Sequence, residues 1–164
     1  MTATITDLTV LAVDPDRLAA MRTAGVDEQG NLFTGYPAKG WEPLRCCLRI
    51  ARPEEQIALI GYRRFETVSP WAEVGPVYVH AEPCEGYHPD AGLPPELLTG
   101  PRMLRGYTGA GSLAYDYITH VPAGDDIEAP LRDLLAAPEV VEVHVRPVMT
   151  QCFLYAVRQP AKSQ

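Results

Sequence analysis

Apolar positions along the chain fall into short runs, mostly with the period of two that marks strands, broken often by Pro and Gly. Ile5 to Val13 alternates loosely and predicts an opening strand. Asp14-Pro15-Asp16 then carries helix-start chemistry: Asp14 as cap, Pro15 at the first helical position, and Asp16 favouring the dipole. Leu18 and Met21 give this helix its buried stripe, and Gly25 supplies a left-handed stop. Asp27 to Pro43 is turn chemistry, an ordered loop with Phe33, Tyr36 and Trp41 as aromatic anchors.

Two strands are predicted next, Leu44 to Ile50 and Gln56 to Phe65, separated by a turn at Arg52-Pro53-Glu54. The second reads as buried on both faces, because Ile57 and Leu59 alternate with Ala58 and Ile60. Val77, Val79 and Ala81 face opposite to Tyr78 and His80 in a further strand. A Pro/Gly-rich loop, Pro83 to Pro95, leads to a short helical turn at Glu96–Leu98. Met103–Tyr107 and Leu113–Val121 flank Gly109-Ala110-Gly111 as a hairpin. Asp125 or Asp126 caps a helix through Ala136, with Pro130 awkward near its first turn. Val140–Arg146 and Phe153–Arg158 close the chain as an antiparallel hairpin. This order predicts one α+β domain over residues 1–164, a twisted, mostly antiparallel sheet with two principal helices. The ends, 1–4 and 159–164, are expected to fray.

Composition narrows the class. The chain has 164 residues, enough for a core without disulfides. Its 14 basic against 21 acidic residues give a net charge of −7, and the basic residues form no concentrated stripe, which argues against nucleic acid. No apolar run is long enough to span a bilayer, so no membrane is expected. Met1 to Val13 lacks the basic and apolar regions of a signal peptide. A reducing cytoplasm is the implied compartment, where Cys46, Cys47, Cys84 and Cys152 are thiols or metal ligands rather than disulfides. Nothing in the sequence fixes an oligomeric state.

The chemistry lies in the Cys and His positions. His80 and Cys84 form a His-x-x-x-Cys where a strand runs into the second loop. His144 lies on the closing hairpin, on the face of Glu142 and Arg146 opposite Val143 and Val145, with Cys152 eight residues on. Thiolate and imidazole suit one Zn or Fe ion, and His80, Cys84, His144 and Cys152 are one ligand set, with Cys46 and Cys47 as alternatives. The same groups also fit a reactive Cys84 or Cys152 thiol with His80, His88 or His144 as imidazole partner. In an enzyme acting on a small-molecule substrate, Arg105 or Arg146 would orient an anionic group and Glu73 would relay protons. Buried free thiols with surface imidazoles are the plain alternative. The protein is then a ligand- or partner-binding module, with Trp41, Trp71 and Tyr87 as loop anchors.

Several blocks carry a resemblance: Pro43-Leu44-Arg45-Cys46-Cys47-Leu48; Gly75-Pro76-Val77-Tyr78-Val79-His80-Ala81 with Cys84; Leu104-Arg105-Gly106-Tyr107; Val143-His144-Val145-Arg146-Pro147; and Gln151-Cys152-Phe153. In this order they resemble a bacterial family catalogued as domain of unknown function 1203, over about Leu11 to Arg158. The resemblance implies a small soluble protein without an assigned reaction. The family commonly has His where Cys46 stands and Gly where Gln151 stands. A ligand role survives exchange of His for Cys46, whereas a general-base role does not.

Overall fold

In a computed structural model, residues 7–160 are described. Over these residues the protein is α+β, with two α-helices and two mostly antiparallel five-stranded sheets rather than one continuous sheet. The first sheet has the order β1-β10-β9-β7-β8, from β1 (Thr9–Leu11), β10 (Tyr155–Arg158), β9 (Glu142–Pro147), β7 (Arg102–Tyr107) and β8 (Leu113–Val121). The second has the order β2-β5-β6-β3-β4, from β2 (Tyr36–Pro37), β5 (Gln56–Arg63), β6 (Val74–His80), β3 (Pro43–Leu44) and β4 (Arg49–Ile50). A parallel step joins β3 to β6, with Leu44 opposite Tyr78.

Helix α1 (Pro15–Ala24) forms as its sequence predicts. Asp14 Oδ1 accepts from the amides of Asp16 at 2.9 Å and Arg17 at 3.2 Å. Gly25 ends the helix at φ 73°, its amide donating to the Met21 carbonyl. Asp14→Ala is expected to cost about 1 kcal/mol in a urea titration, and an unchanged midpoint would show that the cap adds nothing. Helix α2 (Glu128–Leu135) begins later than predicted. Asp126 Oδ1 takes the Glu128 amide at 2.7 Å, and Pro130 falls in the first turn, where its missing N–H costs no helical bond.

Two cores follow from strand alternation. Leu104, Val143, Val145, Tyr155 and Val157 pack under α2 and the segment ending at Leu97. Ala58, Ile60, Tyr62, Val77 and Val79 pack under α1, joined by Phe153 and Ala156 from the first sheet's side. Strand β5 is not buried on both faces, since Leu59 is 44% exposed. The helical turn expected at Glu96–Leu98 is a 3-10 turn at Pro95–Leu97. Of the ends expected to fray, 1–4 and 161–164 lie outside the described residues, as do Ile5 and Thr6 of the opening strand. Gln159 is held, its Nε2 donating to the Leu135 carbonyl at 3.2 Å. Among the described residues no helix is long and apolar enough to cross a membrane.

Candidate metal centre

The predicted strand Leu44–Ile50 is not continuous: its ends fall in β3 and β4, which pair with each other, and the turn between them decides the site. After β3 the chain makes one helical turn over 45–48, closed by the Leu48 amide on the Leu44 carbonyl at 2.9 Å. Leu48 leaves it in the left-handed region at φ 57°. On a strand, adjacent side chains point to opposite faces; on a helical turn they lie about 100° apart. Cys46 and Cys47 therefore reach the same point. The last residue of β6 brings His80 there, and the following loop brings Cys84.

Donor atoms of Cys46, Cys47, His80 and Cys84 all lie within 4.8 Å of one another. His80 Nδ1 is 3.5 Å from Cys46 Sγ and 3.7 Å from Cys47 Sγ. The His80 amide donates to Cys46 Sγ at 3.2 Å. All four cysteines of the chain are free thiols. Cys46 is buried, Cys47 and His80 are half-buried, and Cys84 is exposed. A cleft of about 500 Å³ opens on the site, lined among others by Cys47, Arg49, His80, Cys84 and Glu85.

Behind the imidazole stands a carboxylate. His80 Nε2 is 2.8 Å from Glu55 Oε2, and Arg49 holds both Glu55 oxygens at 2.7 Å. Glu55 is acceptor-only when ionised, so a hydrogen on Nε2 directed at it would leave the Nδ1 lone pair facing the sulfurs. The Arg49 guanidinium, with some help from His80, keeps the Glu55 carboxyl well below the usual range. Among the thiols, the pull is uneven. Hydrogen bonds from Cys46 and Cys47 hold Cys84 far below the ordinary thiol range, aided by the Gly86 amide. Bonding to Cys47 and Cys84, together with burial, drives Cys46 far up. Cys47 is pulled down by Cys46 but pushed up by Cys84 and by burial, to about 11.

Several predicted partners lie elsewhere. The expected convergence of His80 and Cys84 with His144 and Cys152 does not occur. His144 is 1% exposed, between the two sheets, its ring 4.1 Å from Tyr107 and 5.2 Å from Phe65. Alternation places it on the Glu142 and Arg146 face as predicted, but that face is covered by the second sheet's neighbours rather than open. Its Nε2 is 3.3 Å from Glu142 Oε1, yet neither ring nitrogen meets hydrogen-bond geometry with a partner among the described residues. Cys152 accepts from buried Arg45 at 2.8 Å and meets Thr150 Oγ1 at 3.1 Å. Arg105 and Arg146 meet Glu73 at 3.3 and 3.4 Å, and both also bond Gln151, so these residues form a patch of their own. His88 is exposed in its loop.

Glu55 and Arg49 carry no motif that marks them as parts of the site. The signal available was register: Ile57 pairs with His80, which brings the start of β5 beside the imidazole.

Fold and site together define an α+β protein with a Cys₃His cluster at metal-ligand spacing. The chain belongs to the family described as Protein of unknown function (DUF1203), which matches residues 41–159 and so contains all four cluster residues. No curated protein and no solved structure matches the chain.

Proposed function

We propose that the protein is a zinc-binding protein whose Cys46, Cys47, His80 and Cys84 hold one Zn²⁺ in a closed, four-ligand centre. One observation carries the reading. Tetrahedral zinc with bonds of about 2.3 Å to sulfur and about 2.05 Å to nitrogen sets those ligands about 3.6 Å apart. The His80 Nδ1 to Sγ distances are 3.5 and 3.7 Å. Support also comes from Glu55, which fixes the imidazole as outer-shell carboxylates do in zinc sites. Soft thiolates favour Zn or Fe over hard cations, and a reducing cytoplasm keeps such thiolates available. Four protein ligands match a structural centre, tying the 45–48 turn to the end of β6 and the loop beyond.

Elemental analysis of freshly purified protein is expected to find about one zinc per chain, reduced to background in Cys46→Ala and retained in Cys152→Ala. Metal-free wild-type protein that stays so after incubation with zinc would overturn the reading.

A second reading, an enzyme acting on a small molecule, has one observation in its favour. Cys84 is exposed at the cleft, where an incoming oxygen or sulfur ligand could take its place and open a coordination position. Cobalt-substituted protein separates the two. Absorption bands that shift when small anions or thiols are added favour the enzyme, and unchanged bands favour the closed centre.

A further inference from the structure

We propose that Cys84 is an oxidative modification site, at which a hydroperoxide converts the zinc-bound thiolates of Cys84 and Cys47 into a disulfide and releases the metal. The inference rests on the zinc reading and concerns the regulation of that site.

Placement of the four donors differs in a way that zinc binding alone does not require. Cys46 is buried under the turn, with its sulfur against the His80 amide. Cys84 is exposed, and with Cys47 it lines the cleft of about 500 Å³, which Cys46 does not. A small oxidant in the cleft therefore meets Cys84 first. The two sulfurs lie within 4.8 Å of each other, so a second thiolate is at hand once the first has reacted. Cys46 and Cys47 are poor partners for each other, because a bridge between adjacent residues strains the peptide between them. Cys152, whose sulfur is engaged by Arg45 and Thr150, takes no part.

Each step balances. The Cys84 thiolate attacks one oxygen of the peroxide; an S–O bond forms, the O–O bond breaks, and the departing hydroxide or alkoxide takes a proton from the buffer. Cys84 is then a sulfenic acid. The Cys47 thiolate attacks its sulfur; the S–S bond forms, the S–O bond breaks, and a second hydroxide leaves to be protonated. Two thiolates have been oxidised and one peroxide reduced, with two protons consumed. Zinc has lost two of its anionic ligands, and Cys46 with His80 cannot retain it against solvent. A thiol reductant restores both thiolates and the site.

The test uses the full chain, with its zinc content measured beforehand, and hydrogen peroxide added in small molar excess. A chromogenic chelator reads free zinc while mass spectrometry maps the cysteines. Release of essentially all the bound zinc is expected, in step with a loss of two hydrogens and a Cys47–Cys84 cross-linked peptide, and dithiothreitol with added zinc should reverse it. Cys152→Ser should behave as wild type. A zinc-loaded protein that keeps its metal under peroxide, or loses it with Cys84 unmodified, overturns this inference and leaves the zinc reading intact. A protein that holds no zinc even after incubation with zinc overturns both.

Discussion

On the zinc reading, chelation is expected to lower the thermal midpoint of the protein by about 10 °C. A ligand that binds the native state alone stabilises it by about 4 kcal/mol when free ligand exceeds its dissociation constant a thousandfold. For a chain of this length each kcal/mol moves the midpoint by about 2–4 °C. The effect is large because the cluster joins three segments, the 45–48 turn, the end of β6 and the loop carrying Cys84, which backbone pairing links only in part. Calorimetry with and without chelator measures it. Cys46→Ala should reach the lower midpoint without chelator, while Cys152→Ala should respond to chelator as wild type does. A shift below about 2 °C in protein shown to contain zinc would remove the structural role.

Stability is expected to fall by about 3 kcal/mol as the pH drops from 6.5 towards 4, through His144 alone. Burial between the sheets pulls its imidazole down to about 4, although Glu142 works in the opposite direction. In the unfolded chain the same group titrates near 6.5. Between these values the unfolded state binds a proton that the native state does not, so stability rises with pH across the window and is fully present above it. Burial opposes charge on Glu142 too, yet His144, Arg64 and Arg158 outweigh it and bring that carboxyl down to about 2. Its own contribution is therefore lost only at lower pH, from the ordinary carboxylate range downwards. His144→Phe suits the aromatic box formed with Phe65, Tyr107 and Phe153 and removes the titrating group. Urea titrations of the two proteins at pH 7 and pH 4.5 should diverge at the lower pH, with the wild type losing more. Parallel losses would show that His144 is not the source.

Much of the strand order was legible because alternation and turn residues report one physical fact, which side of a pleated chain is wet. Alternation assigns His144, Glu142 and Arg146 to one face of β9. It does not give that face's burial, since pattern within one strand cannot say that a second layer lies above its polar face. The cluster was half legible for a related reason. His80 and Cys84 stood out by sequence proximity and loop context. Cys46 and Cys47 looked like strand residues on opposite faces, and only the single turn at 45–48 sets them on one side. That turn depends on a left-handed Leu48, a residue type with no preference for the conformation. Gln151 makes the same point. It takes φ 59° at a position where the resembling family favours Gly, its side chain donating to the Val148 carbonyl and accepting from Arg105.

Strand β10 belongs to two interiors at once. Tyr155 and Val157 face the core under α2, while Ala156, with Phe153 just before the strand, faces the core under α1. A fluctuation that detaches this short segment exposes both cores together, and neither half can melt away quietly while the other stays dry. Four residues near the end of the chain thus act as a common wall, and the energetic penalty for disturbing them is shared by nearly everything the sequence has managed to hide from water.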